Sequence, residues 1–522
     1  MSARSGRWSR RTTLRVLGAG GALAVTGVAG VSLAGSGRGR DDVVRDPYYP
    51  GDEWQRGTPP AVGRIGSGSS AVARENARAG SAGFGVERYR FGDDKLGQIS
   101  GYASATSVQV GGTLDFHVSV APAQRYRIQV FRLGHYGGSG ARLVAASPWL
   151  AGRAQDVPTV SAERGTVRCG WDVGWRLSVG RDWVSGYHLA LLTNAAGWSR
   201  FVPFVVRDPR RPAAGLVVVP TSTYQAYNMW PADGHLGASL YYGFDGARRR
   251  VPGERARAVS HDRPYQGTGI PTGAEHDIGF TQWVESTGAD LTYASSEDLD
   301  TGRVDPRRYR AVVFCGHDEY WTVEMRAAVA RARNGGTSLV FLGANNCYWR
   351  IRYGTPDGRH DERLVDCAKQ KTRRGGPVPL TTQWRLAGSP EQELIGAQYV
   401  SMIDGRAPLV VRDTAHWFWS GTGLRDGDQI PGIVAGEADQ VMSKATRPRA
   451  ETHTVLAHSP FRRLGQTHHQ QTTLYRASSG AWVFAAGSLG WTAGLYAEGF
   501  VDPRLRQATR NLLDRVLAER SG

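Results

Sequence analysis

Residues 309-YRAVVFCGHDEYWTVEMRAAVARARNGGTSLVFLGA-344 read as strand, helix, strand. The runs 309-YRAVVFC-315 and 338-SLVFLGA-344 are short, apolar and bounded by glycine or polar residues, as buried strands are. Between them, 322–334 has the composition of a helix. Thr322 can cap its first turn, and Glu324 suits the positive end of its dipole. Strand, helix and strand in this order predict two parallel strands in a sheet covered on both faces. The stretch also poses a problem. His317, Asp318 and Glu319 stand together at the end of a core strand, beside Tyr320 and Trp321. Buried polar groups are costly unless something partners them.

The same alternation extends outward. 216-LVVVP-220 and 482-WVFAAGS-488 read as further core strands, and about 274–287 reads as a helix. The last helix starts at Asp502, with Pro503 in its first turn and Leu505, Ala508, Leu512 and Val516 as its apolar stripe. This predicts an α/β domain over 213–520. Residues 376–480 interrupt it with short strand signals, 397-AQYVSM-402 and 408-PLVVR-412, and read as a β-rich insertion. Upstream, 90–208 holds 114-LDFHVSV-120, 126-YRIQVFRLG-134, 187-YHLALLTN-194 and 201-FVPFVVRD-208 with no helical pattern between them, which predicts an antiparallel β-sandwich. Residues 36–89 are rich in Gly, Ser, Arg and Pro and read as a disordered linker.

At the N-terminus, Ser9-Arg10-Arg11-Thr12-Thr13-Leu14-Arg15 precedes an uncharged Gly-, Ala- and Val-rich run from Val16 to Leu33. That pattern reads as a twin-arginine signal over 1–35. It predicts an exported, secreted or cell-envelope protein with no membrane span once the signal is removed. The formal net charge is +17, but residues 1–40 hold seven arginines and no acid, leaving +10 for the rest. The remaining charge is scattered and lacks a basic run interleaved with aromatics, which argues against a nucleic-acid-binding protein. The four cysteines, at 169, 315, 347 and 367, do not have zinc-ribbon spacing.

Ligand sites in open α/β sheets lie beyond the carboxyl ends of the strands. Three polar segments take that position: 221-TSTYQAYNMW-230, 316-GHDEYW-321 and 344-ANNCYW-349. A fourth is the loop 260-SHDRPYQGTG-269. Phenol and carboxylate oxygens are hard donors that favour a hard cation such as Fe(III). Such a cation polarises a carbonyl and lowers the pKa of bound water.

These segments carry a resemblance. 221-TSTYQAYN-228, 260-SHDRPY-265, 316-GHDEYW-321 and 342-LGANNCYWR-350 look like the large (beta) subunit of the N,N-dimethylformamidase family. 126-YRIQVFRLGHYGG-138, 181-RDWVSGYHLALL-192 and 203-PFVVRD-208 are similar to that family's preceding domain. With the patterning above, this gives the expected fold. It is a multidomain α/β plus β chain, an immunoglobulin-like β-sandwich followed by a flavodoxin/amidotransferase-like α/β domain. The resemblance implies hydrolysis of the C–N bond of a small linear amide by a mononuclear non-haem Fe(III). By motif the metal ligands are Tyr224, Tyr265 and Glu319. Tyr227 shares a motif with Tyr224, which is preferred because it leads the run. His317 is implied as the proton handler, Asn345 as the group that orients substrate, and Lys369, in 366-DCAKQK-371, as a lysine near the site. The family's large subunit works with a separate small one, and a homo-oligomer also fits the expectation. Two other readings compete. Cys315, two residues before His317, is a candidate nucleophile, although Phe314 breaks the Gly-x-Cys-x-Gly elbow. A non-catalytic exported glycan-binding protein is the other.

Overall fold

The computed structural model describes residues 70–518 apart from Gly83, Pro356 and 371–378. The expected signal at 1–35, and the expected linker as far as residue 69, lie outside the described residues. The end of that linker is structured. Ala71–Asn76 is a helix capped by Ser70, with Val72 and Glu75 buried. Glu75 accepts from Tyr136 Oη at 2.9 Å and Arg142 Nε at 2.7 Å. Its polar composition hid the helix because what it packs on, Tyr136 and Arg142 on one side and the helix Ala274–Ser286 on the other, is distant in sequence.

Five parallel strands make the central sheet: Gly215–Val219, Leu291–Ser295, Ala311–Phe314, Ser338–Phe341 and Trp482–Ala485. Numbered along the chain, they lie in the order 2-1-3-4-5. Strands covered on both faces must be apolar at every position, and the first four are buried throughout. Val217, Val219, Val313 and Val340 face a core shared with Phe280, Trp283, Leu505 and Leu512 of the helices Ala274–Ser286 and Pro503–Leu517. Leu216, Val218, Val312 and Leu339 face another, with Met325 and Val329 of the helix Val323–Asn334. Thr322 caps that helix through Met325 N at 3.1 Å.

The sheet differs from the sequence reading in two places. Leu291–Ser295 is an unanticipated strand. Within the expected β-rich insertion, the hairpin of Ala450–Arg463 and Gln466–Ala477 extends the central sheet antiparallel beyond Trp482–Ala485, a pairing the sequence reading did not anticipate. Gln398–Val410 and Gln429–Gln440 form their own two-stranded ribbon.

In residues 90–207 two sheets face each other. One contains Arg125–Leu133, Gly186–Asn194 and Trp198–Arg207; the other contains Ser100–Ala103, Thr113–Ser119 and Val173–Ser178. Leu114, Phe116 and Val118 of one meet Ile128, Leu192 and Phe204 of the other in a common core. All four cysteines are buried and free. Among the described residues no helix is long and apolar enough to cross a membrane.

The strand order fixes where a site can form. The chain leaves the first strand for the second on one side and returns to the third on the other. A crevice therefore opens between the carboxyl ends of Gly215–Val219 and Ala311–Phe314.

Candidate metal and acid–base centre

Both strands deliver side chains to that crevice. Gly215–Val219 runs through Pro220 into the helix Thr221–Tyr227. Ala311–Phe314 runs into the turn that carries His317, Asp318 and Glu319, all buried. Side-chain hydroxyls of the helix bonded to the backbone of the turn lock the two segments together. Thr223 Oγ1 accepts from Glu319 N at 3.0 Å and Tyr320 N at 3.3 Å, and Ser222 Oγ donates to Tyr320 O at 2.8 Å.

This turns Glu319 toward two phenols. Tyr227 Oη and Tyr241 Oη each donate to Glu319 Oε2 at 2.8 Å, and Tyr241 Oη lies 3.1 Å from Oε1. The two hydroxyls are 2.9 Å apart and their rings stack at 4.6 Å. Tyr320 Oη donates to Tyr241 Oη at 2.7 Å. Lys369 Nζ sits 3.4 Å above the Tyr241 ring and 4.9 Å from that of Trp349. His317 Nε2 lies 3.2 Å from Glu437 Oε2 and 3.7 Å from Glu319 Oε2. Asn345 has φ 55° and donates its backbone N–H to Asp439 Oδ1 at 2.9 Å, two residues from Glu437.

The electrostatics follow from burial. Burial and the charge of Glu319 push the Tyr241 phenol up, and burial raises Glu319 itself. Burial alone would lower His317, but Glu437, with Glu319 and Asp318 beyond it, raises it to about 9. Burial brings Lys369 down to about 8 against the pull of Glu319.

Of the residues expected from sequence, Glu319, His317 and Lys369 meet here, and Asn345 stands at a neighbouring strand end. Tyr224 and Tyr265 do not meet Glu319. The Tyr224 hydroxyl donates to Asp277 Oδ2 at 2.6 Å, and both rings line another cavity with Tyr187, His261 and Arg263. The sequence reading missed Tyr241 and Glu437. Tyr241 lies in 237-GASLYYGF-244, a loop with no periodicity to single it out. Glu437 did leave a signal, as an acid inside the apolar run 433-IVAGEA-438.

Among the described residues no three His, Cys, Asp or Glu side chains are grouped to hold a metal. A metal here would therefore need phenol donors. The set fits one: two half-buried phenols and a buried carboxylate converge to hydrogen-bonding distance, and hard oxygens that share a small cation at about 2 Å stand about 3 Å apart. A multivalent cation would also offset the burial that raises the Tyr241 phenol and the Glu319 carboxyl.

Cys315 is turned elsewhere. Its Sγ donates to Asp277 Oδ1 at 3.0 Å, and burial pushes the thiol well up. A poorly ionised thiol is a weak nucleophile. Cys315→Ser keeps a donor for Asp277, so the amide hydrolysis that the resemblance implies should stay within about threefold of wild type, whereas a cysteine nucleophile would lose orders of magnitude. Initial rates on a small amide decide between them.

Fold and site together define an α/β protein with an ionisable, phenol-rich centre at the switch point of its sheet. The chain belongs to the N,N-dimethylformamidase beta subunit-like, C-terminal family, which matches residues 127–503. It is 27% identical over 215 residues to the N,N-dimethylformamidase beta subunit of Alcaligenes sp, covering 35% of this chain and 28% of that protein. The match thus spans less than a third of the relative's length. Among solved structures, a superoxide reductase (neelaredoxin) from Ignicoccus hospitalis matches 22% of this chain and 84% of its own at 11% identity, TM-score 0.14. A cycloisomaltooligosaccharide glucanotransferase from Paenibacillus sp. matches 40% and 29% at 14% identity, TM-score 0.14. Neither bears on fold or chemistry at those scores.

Proposed function

We propose that the protein is an iron-dependent hydrolase of linear amide C–N bonds, with Tyr227, Tyr241 and Glu319 as the metal-holding residues. The observation that carries this is the convergence of two half-buried phenols on one buried carboxylate, at hydrogen-bonding distance, at the switch point. It moves the phenol ligands from Tyr224 and Tyr265, expected from sequence, to Tyr227 and Tyr241. Fe(III) bound there would supply Lewis acidity to polarise the amide carbonyl and acidify water.

The chain's own residues do the rest. Lys369 holds a positive charge over the Tyr241 face, which favours the phenolate. Glu437 holds a proton on His317 Nε2, and that proton goes to the departing amine nitrogen as the C–N bond breaks. Asn345, fixed through its backbone to Asp439, offers a side-chain amide to the oxyanion. Tyr320 and Trp321, both fully buried, keep bulk water out from below.

The reading extends to an immunoglobulin-like sandwich, a flavodoxin-like α/β domain, export by the twin-arginine route and association with a separate small subunit. The strand order supports the flavodoxin-like domain, the relative's name supports the separate subunit, and export rests on the sequence 9-SRRTTLR-15 alone. Purified protein should carry stoichiometric iron and a visible phenolate-to-iron charge-transfer band, and should release amine from a simple formamide. Protein that hydrolyses amides at full rate after exhaustive iron removal would overturn the reading.

A further inference from the structure

Next to the centre lies a second buried cluster that the proposed chemistry does not use. Asp277, from the helix Ala274–Ser286, is 1% exposed. Its Oδ2 accepts from Tyr224 Oη at 2.6 Å and its Oδ1 from Cys315 Sγ at 3.0 Å. The carboxylate also lies flat against Gly316, where any Cβ would collide with Oδ2. Three elements therefore meet at one side chain.

The two partners of Asp277 are placed for a purpose. Tyr224 is three residues before Tyr227, one turn earlier on the same short helix. Cys315 and Gly316 lead directly into His317 and Glu319. One carboxylate on a third element thus grips both segments that supply the centre. We propose that Asp277 is a positioning residue, which sets the separation of Tyr227 from Glu319 by holding Tyr224 and Cys315. The inference rests on the metal-site reading above and explains two of its details. It gives the sequence-prominent Tyr224 a role away from the metal, and it explains why residue 316 is glycine. The acceptor also has a cost that simple packing would avoid, since burial pushes Asp277 up to about 6 while the Tyr224 and Cys315 hydrogen bonds pull it back.

The test compares iron content, visible spectrum, kcat and KM for wild type, Tyr224→Phe, Asp277→Asn, Asp277→Ala and Tyr227→Phe, with circular dichroism to confirm folding. Tyr224→Phe is the gentlest change, since it removes one hydrogen bond and keeps the ring. It should retain iron, shift the charge-transfer band and lower kcat roughly tenfold at nearly constant KM, as a small misplacement of a reacting group does. Asp277→Asn, which keeps one acceptor, should resemble it. Asp277→Ala should be worse by a further tenfold or so. Tyr227→Phe should lose the iron.

If Tyr224→Phe loses its iron, Tyr224 is a ligand and the proposal fails. If Tyr224→Phe and Asp277→Asn keep the wild-type band and kcat, Asp277 is only packing and the proposal fails with the metal reading intact. Wild type that takes up no iron and shows no band overturns both, a pattern distinct from either of the others.

Discussion

Glu319→Gln should abolish iron binding and lower amide hydrolysis roughly 1,000-fold or more. Lewis-acid stabilisation is worth several kcal/mol, and each decade of rate costs about 1.4 kcal/mol. The substitution removes one charge and almost no volume. The fold should survive, because the contacts that hold residue 319 are made by its backbone: Thr223 Oγ1 accepts from Glu319 N, and Glu319 O accepts from Tyr348 N and Trp349 N at 2.9 Å. What changes is the side chain. A glutamine cannot carry the negative charge that a trivalent cation needs, and it turns an N–H₂ donor toward one of two phenol donors, Tyr227 or Tyr241. Metal content by elemental analysis, the visible band and the rate should all fall together, with the far-ultraviolet spectrum unchanged. A variant with full iron and wild-type rate would remove Glu319 from the centre. Loss of rate with iron and band intact would make it an acid–base group instead.

The sequence revealed most where burial is total. The strands around 309–344 are legible because a parallel strand covered on both faces has to be apolar throughout. Leu291–Ser295 is as buried as they are, but 290-DLTYASSEDLD-300 spells it with Thr, Tyr and Ser; Tyr293 Oη donates to Glu285 and Ser295 Oγ to Asp298, pairings that the apolar pattern does not reveal. The hairpin 450–477 escaped notice because its outer face is polar and its joining of the central sheet depends on a pairing distant in sequence. The same limit governs the site. Glu319 and His317 were legible from their position after a core strand. Tyr224 and Tyr227 share one motif and one helix, so only the contact with Asp277 on one side and Glu319 on the other separates their roles. Tyr241 and Glu437 reach the centre from a loop and a ribbon, and their place depends on the fold as a whole.

The second large effect concerns stability and lies at the seam between the sandwich and the sheet. Arg132, on the strand Arg125–Leu133, and Glu285, on the helix Ala274–Ser286, form a fully buried bidentate pair at 2.8 Å and 2.8 Å. Burial opposes the Arg132 charge, and Glu285 outweighs it. Glu285 also accepts from Tyr293 Oη at 2.9 Å and Asn76 Nδ2 at 2.7 Å. Arg132 gives its other N–H groups to the carbonyls of Leu133, Val184 and Ser185. Glu285→Ala strands the guanidinium without its counter-charge, and breaking a buried pair in this way costs about 3–5 kcal/mol. The urea midpoint should drop accordingly. Adding Arg132→Met should recover part of the loss, because it removes the buried guanidinium left without a counter-charge, while the Tyr293 and Asn76 donors stay without their acceptor. An additive double mutant would mean that the two side chains act independently and that the seam is held elsewhere. The helix that carries Glu285 also carries Asp277, two turns earlier. The pair therefore does more than join two sheets: it anchors to the facing sheets of residues 90–207 the helix that carries Asp277, and loss of Glu285 should loosen the proposed metal centre before the whole chain unfolds.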